Sequence, residues 1–292
     1  MNILVLGGNG YLGSKLIGRF YAEKKHRVIF TRRQNSDLSR VNAFINGDGM
    51  VSSILSDFSS IVKCIEDNKI DLIINAANCY CRENDEYDTI IETNINFPLR
   101  VLNYVAKKEG VRYLTFGTAL PDEFNIYSFS KKTLANFGKF YSLNDGIDFY
   151  NVKLQMFYGA DEPGGRFVSS TIKKMINGEE INTTIGTQKR DIIHIDDVVD
   201  AILMVINSDL HGYCEIPVGT GTAPTISELV DYIWESTGKK SKVNKGTVPM
   251  RANEPDCVAD TSILKALGEW SPLDWKSGVQ KVIEEMKESK GL

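Results

Sequence analysis

Thr118, Tyr127 and Lys131 lie in the stretch TFGTALPDEFNIYSFSK, residues 115–131, with the tyrosine nine residues after the threonine and the lysine four residues after the tyrosine. Such a set has the groups needed to reduce a carbonyl. The phenol gives its proton to the oxygen as hydride reaches the carbon, the ammonium stabilises the phenolate, and the threonine hydroxyl donates a hydrogen bond to the same oxygen. An ordinary strand-end hydroxyl is the other reading of Thr118. The tyrosine–lysine spacing alone decides nothing, because Tyr11/Lys15, Tyr21/Lys25 and Tyr104/Lys108 repeat it. Only the surrounding elements can distinguish the four pairs.

Short aliphatic and β-branched runs alternate with amphipathic segments through the first half. ILVL precedes a helix through Lys15 to Tyr21, RVIFT precedes a helix near Ser60 to Glu66, and DLIINAA precedes a long segment from about Asp88 to Lys108. YLTFGT, a helix beginning near Tyr127 and DFYNVKL continue the rhythm. This pattern predicts an α/β chain built on a Rossmann-type, doubly wound parallel sheet covered on both faces. Residues from about Asn35 to Ser56 lack periodicity and read as loop or irregular strand. Beyond about Leu154 the pattern is less regular and predicts a smaller mixed α/β domain for the substrate, with a helix from Phe167 to Asn177. The expected division is 1–154 for the dinucleotide domain, with a return segment near 190–210, and 155–292 for the substrate domain. No Pro/Ser linker separates the halves, so a shared interface with a cleft between them is expected.

The first strand runs directly into GGNGYLG, placing Gly7, Gly10 and Gly13 three apart, and an amphipathic helix follows. Glycines there permit a tight turn and close approach of backbone amides to a pyrophosphate, which the helix N-terminus favours electrostatically. A glycine turn without a ligand is the alternative. At the end of the second strand, where a carboxylate would accept the adenosine ribose hydroxyls, IFTRRQ supplies Arg32 and Arg33 instead. Guanidinium groups pair with a 2′-phosphate, so NADP(H) is expected over NAD(H), unless both arginines merely solvate the strand end. Tyr11 falls in the loop at the pyrophosphate end, and the Tyr21 and Tyr104 pairs fall at far helix ends. Tyr127 starts a helix just after YLTFGT, on the ligand-binding edge, with Asn125 available as N-cap.

The 292 residues carry a net charge of -4, which gives no basic excess to hold a nucleic-acid backbone or an anionic membrane. A small-molecule partner is expected. The five cysteines are odd in number and scattered, and with only three histidines they suggest neither a disulfide framework nor a metal site. No apolar run approaches a membrane span, and MNILVLGG passes straight into a strand, so a cytoplasmic protein is expected.

GGNGYLG, INAAN, ETNINFP, Thr118 with YSFSK, and RDIIHIDDV together resemble the extended short-chain dehydrogenase/reductases of the NAD-dependent epimerase/dehydratase type, which act on nucleotide-activated sugars. The resemblance spans nearly the whole chain. It implies Tyr127 as acid/base, Lys131 as its partner and Thr118 as carbonyl ligand. Implied cofactor positions are Gly7, Gly10, Tyr11, Leu12, Gly13, Arg32, Arg33, Asp57, Ala76, Ala77 and Asn94, the last also as a structural residue near the centre. Implied substrate contacts are Ala119, Leu120, Phe167 near the base, and Arg190 and Arg251 at the diphosphate of a nucleotide-diphosphate sugar. Arg190 pairing with Asp191 or Asp196 at the surface is the alternative.

Relatives that dehydrate place an Asp-Glu pair directly after this threonine, where the chain has Ala119 and Leu120. Those that epimerise beside the ketone need a cysteine, and none occurs between Cys81 and Cys214. What remains is a 4-ketoreductase drawing on NADPH, a 4-epimerase recycling bound NAD, or, from another class, a silent dinucleotide sensor. GTALP followed by NIYSFSKK is similar to the CDP-abequose synthase branch of 4-ketoreductases. The resemblance also implies a homodimer through the helices near 88–108 and 126–144.

Overall fold

The computed structural model describes residues 1–45, 49–80, 86–163, 165–251 and 254–291. Its strands are β1 (Asn2–Leu6), β2 (Arg27–Arg32), β3 (Val51–Leu55), β4 (Leu72–Asn75), β5 (Arg112–Thr118), β6 (Phe149–Leu154), β7 (Met156–Tyr158), β8 (Ile181–Thr183), β9 (Ile192–His194), β10 (Tyr213–Val218) and β11 (Val243–Lys245). Seven of them form one parallel sheet in the order β3-β2-β1-β4-β5-β6-β10. The Rossmann-type fold expected from the alternating runs is thus present. The order in which successive strands are added reverses between β1 and β4, the switch point at which such folds bind ligands.

The central strands are continuous apolar runs because both faces are covered. Val5 of β1 sits in register with Phe30 of β2 and Ile74 of β4, all fully buried. On one face Leu4, Leu6 and Ile73 pack with Ile61 and Ile65 of the helix Phe58–Asn68 and with Val101, Leu102 and Val105 of the helix Phe97–Val105.

The chain divides into two compact units, Met1–Lys153 with Val205–Ile216, and Leu154–Met204 with Pro217–Leu292. The segment rejoining the first unit is therefore Val205–Ile216, where the sequence suggested one near 190–210. In the second unit the helices Phe167–Ile176, Ile226–Ser236 and Trp275–Glu288 pack through Ile172, Met175, Leu229, Ile233, Val279 and Ile283. Two short parallel pairs, β7 with β9 and β8 with β11, complete it.

Two elements differ from expectation. The illegible stretch before Ser56 contains β3, an edge strand in which only Val51 is buried, and its two half-buried serines interrupt the apolar signature. The long segment expected from about Asp88 to Lys108 is interrupted. A helix Tyr87–Ile91 passes through a π-helical turn at Glu92–Asn96 into the helix Phe97–Val105.

The helix Ile126–Asp145 lies against the sheet with Gly138 facing Phe149, a fully buried ring stacked on Tyr113 at 5.4 Å and on Tyr213 at 6.0 Å. A Cβ on Gly138 would stand 2.2 Å from the Phe149 ring. Replacing a mid-helix glycine by alanine ordinarily gains about 1 kcal/mol, but forcing a methyl into a packed core costs about 1–3 kcal/mol. With the stacked ring unable to retreat, the second effect wins. Gly138→Ala should therefore lower the urea unfolding midpoint, where an exposed helical glycine would raise it.

Candidate active site

The loop after β1 is shaped by backbone contacts that exclude side chains. Gly7 has φ +74°, a left-handed conformation that favours glycine. Its N–H donates to Thr31 Oγ1 at 2.9 Å, and its carbonyl accepts from Gly10 N at 3.1 Å. A Cβ on Gly7 would lie 2.8 Å from the Ala77 backbone, and one on Gly13 would lie 2.6 Å from the Gly7 carbonyl. Gly10 is the N-cap of the helix Tyr11–Glu23 and offers no capping side chain, so the first-turn amides depend on other partners. An anion can serve as one.

Beside this loop is a cleft of about 810 Å³ whose wall includes Gly7, Asn9 and Gly10, then Arg32 at the end of β2 with Arg33, Asn35 and Ser36 beyond it, and Ala76, Ala77 and Asn78 beyond β4. Arg32 is half-buried, with Nε donating to Ser53 Oγ at 3.3 Å, and Arg33 is exposed. The Oδ1 of Asn78, a wall residue, is buried and has no hydrogen-bond partner among the described residues.

Six of the expected cofactor residues, Gly7, Gly10, Arg32, Arg33, Ala76 and Ala77, line this cleft. Tyr11 and Leu12 are instead buried, and Gly13 supports the turn from behind. Asp57 caps the helix Phe58–Asn68. Hydrogen bonds from the Ser59 and Ser60 hydroxyls and the Ser60 amide hold its carboxyl down at about 2. Among the residues not anticipated, Asn78 sits inside the INAAN motif, and Asn35 and Ser36 form the polar run after the arginines. Asn9 lies inside GGNGYLG and Thr93 inside ETNINFP, while Ser56 carried no signal.

β5 ends at Thr118, whose Oγ1 accepts from Leu120 N at 3.3 Å. Half-buried Ala119 and Leu120 and a 3-10 turn at Asp122–Phe124 bridge to the helix Ile126–Asp145, which carries Tyr127 and Lys131. Asn125 caps that helix as the sequence predicts. Its Oδ1 accepts from Ser128 N at 2.8 Å, while its own N–H donates to Ser128 Oγ at 3.1 Å. This reciprocal box fixes the first turn and with it Tyr127.

The other tyrosine–lysine pairs have different settings. Lys15 lies 5.8 Å over the Tyr11 ring. Tyr104 and Lys108 both bond Glu66, forming a surface cluster. Lys131 alone among the four lysines is buried, 4% exposed, and it hydrogen-bonds no described residue. Burial lowers its ammonium pKa to about 8. Asn94, 1% exposed in the π-helical turn, uses its carboxamide to join Cys79 of the loop after β4 to Ser130 of the Tyr127 helix. π-turns are often found at functional sites, and here the turn aims that side chain inward.

In the second unit Arg190 is 5% exposed. It pairs with Glu254 at 2.5 Å and donates to the carbonyls of Pro255 and Lys189, pairing with neither Asp191 nor Asp196. Phe167 begins its helix half-buried against the local core, and Arg251 is exposed.

The chain matches the model of the NAD dependent epimerase/dehydratase family over residues 3–214 and belongs to that family. It is 28% identical to the CDP-abequose synthase of Salmonella muenchen, over 98% of this chain and 98% of that one. It is 25% identical to a putative UDP-glucose 4-epimerase of Methanocaldococcus jannaschii, again over 98% of each. The structure of a UDP-glucuronic acid 4-epimerase from Bacillus cereus, in complex with UDP-glucuronic acid and NAD, matches with a TM-score of 0.86 and 19% identity, covering 99% of this chain and 100% of that one. At that identity the likeness is one of fold. No described helix is long and apolar enough to cross a membrane.

The buried ammonium has a measurable cost. Below pH 8 Lys131 is charged in both the folded and the unfolded chain, and the folded protein bears the full desolvation penalty. Between about 8 and 10.5 the folded chain releases its proton first, so the penalty is relieved and stability rises with pH. At about 1.4 kcal/mol per tenfold change, Lys131→Met should stabilise the cofactor-free protein at pH 7 by up to roughly 3 kcal/mol. Competitive acetylation of the wild type should titrate Lys131 near pH 8, below the exposed lysines. A destabilised Met variant, or labelling that follows the bulk lysines, would contradict this account.

Proposed function

We propose that the protein is an NADPH-dependent nucleotide-sugar reductase of the cytoplasm. It converts the C4 ketone of an NDP-4-keto-6-deoxy or 3,6-dideoxy hexose to the alcohol in surface-polysaccharide sugar synthesis. Membership of the epimerase/dehydratase family and the near full-length likeness to a CDP-abequose synthase support the nucleotide-sugar substrate class. The observation that carries the catalytic reading is Lys131, the one buried lysine of the four pairs, one helical turn from Tyr127 and on the helix that follows Thr118.

A nicotinamide dinucleotide fits the first unit. The glycine cradle would be filled by any Cβ, the cleft is large enough at about 810 Å³, and Asn78, whose buried Oδ1 has no described partner, is one of its wall residues. Such a cofactor supplies the hydride. Arg32 and Arg33 at the cleft rim would hold a 2′-phosphate, which supports NADP(H). Thr118 would donate to the ketone oxygen, and Tyr127 would transfer its phenol proton to that oxygen as the carbon is reduced. Lys131 would hold the resulting phenolate by charge. Ala119 and Leu120 offer no carboxylate for dehydration. Arg190 would contact the diphosphate by exchanging Glu254 for phosphate oxygens, with Arg251 as a second cation and Phe167 near the base.

The likeness to a putative UDP-glucose 4-epimerase favours a second reading, oxidation and re-reduction of the same carbon with retained NAD. A homodimer is also part of the proposal. On the helix Ile126–Asp145, exposed Phe129, Phe137 and Phe140 line a groove, and Leu143 is exposed further along the same helix, an apolar surface that monomers seldom leave bare.

NADPH absorbance should fall when 4-keto sugar nucleotides are offered. Tyr127→Phe should cut kcat by about 10²- to 10⁴-fold, and Arg32→Ala with Arg33→Ala should weaken NADPH by about tenfold or more while sparing NADH. Stoichiometric bound NAD with turnover needing no added NADPH would transfer the case to the epimerase. Light scattering should give a dimer that Phe140→Glu with Leu143→Glu converts to monomer, and a wild-type monomer would refute that surface.

A further inference from the structure

We propose that Tyr80 is a positioning residue that holds the ring of Tyr127 for proton transfer, an inference that rests on Tyr127 being the proton donor. The two rings are stacked, with centroids 5.4 Å apart and planes 29° apart. Tyr80 lies on the segment after β4, and the residue before it is fastened on both backbone groups. Cys79 N–H donates to Asn94 Oδ1 at 2.8 Å, and Asn94 Nδ2 donates to the Cys79 carbonyl at 2.9 Å. The same Nδ2 donates to Ser130 Oγ at 3.0 Å, and Ser130 Oγ donates to the Tyr127 carbonyl at 2.7 Å.

These contacts form a closed circuit. One buried carboxamide ties the Tyr80 segment to the Tyr127 helix, and the ring stack joins the same two segments a second time. The capping box fixes the backbone of the first helical turn but leaves the tyrosine side-chain torsions open. An aromatic stack of this geometry biases such a torsion by roughly two- to tenfold. It also covers one face of the phenol, so that water competes less for the proton in transit. The hydroxyl of Tyr80 is not needed for either effect; the ring is.

The test compares Tyr80→Phe, which keeps the ring, with Tyr80→Ala, which removes it, in the full-length protein. Tyr80→Ala should lower kcat at least fivefold and raise the solvent isotope effect on kcat, with NADPH affinity within twofold of wild type by fluorescence titration. Tyr80→Phe should restore kcat to within twofold. An Ala variant with unchanged kcat, a Phe variant as impaired as Ala, or a loss of kcat matched by an equal loss of NADPH affinity would each overturn the inference. Ring-¹³C tyrosine spectra test the contact without turnover. The Tyr127 ring signal should move in Tyr80→Ala and hold in Tyr80→Phe, and a signal unmoved by Ala overturns the proposal even if no keto sugar proves to be a substrate. Absence of NADPH oxidation in the wild type, with that signal moving, would defeat the functional reading alone.

Discussion

A buried ammonium with no hydrogen-bond or ion-pair partner among the described residues is the constraint to which the first unit is fitted. The charge of Lys131 opposes folding, since burial depresses its proton affinity and it finds no described acceptor. The helix that carries it must therefore be held by other interactions. A reciprocal box secures its N-terminus, Gly138 brings its middle into contact with the stacked Phe149, and Gly146 at φ +78° ends it. Stability gained along 20 residues of helix offsets the one residue placed against the gradient. Natural sites commonly accept this exchange of stability for chemistry.

The glycine loop meets a related constraint with backbone alone. Close approach of Gly7 to Ala77 brings the ends of β1 and β4 together at the switch point, and any larger residue would separate them. The resulting surface is lined by amide and carbonyl groups, asparagines and two arginines in a chain whose net charge is -4. Local positive potential is thus built where long-range attraction is absent, so affinity for an anionic dinucleotide must come from short-range contacts. This makes the identity of residues 32 and 33 matter more than the overall composition does.

The parts of this arrangement visible in the sequence were those with a fixed period or a steric necessity. Buried parallel strands read as aliphatic runs, the glycines at 7, 10 and 13 announced a tight turn, and Asn125 announced a helix start. β3 escaped because an exposed edge needs no apolar alternation. The π-turn around Asn94 escaped because one extra residue per turn leaves no compositional trace, and its consequence, the link from Cys79 to Ser130, joins segments 15 and 36 residues from Asn94. The Tyr80–Tyr127 stack was invisible for the same reason. A contact across 47 positions has no local signature.

Neighbours in sequence can also have opposite roles that composition does not separate. Asp191 is fully buried and accepts hydrogen bonds from Thr220 N, Thr220 Oγ1, Gly221 N and Ala259 N, joining three segments of the second unit around one carboxylate. Arg190, one residue earlier, directs its guanidinium to Glu254 and two carbonyls. A carboxylate saturated by four donors is a fixed structural centre, and losing it would strand those donors together. A guanidinium with five N–H groups, of which three meet described partners, keeps donor capacity, and its one ionic partner carries the same charge sign as a phosphate oxygen. The aspartate of the RD pair therefore holds the framework, and the arginine retains the capacity to exchange one anion for another.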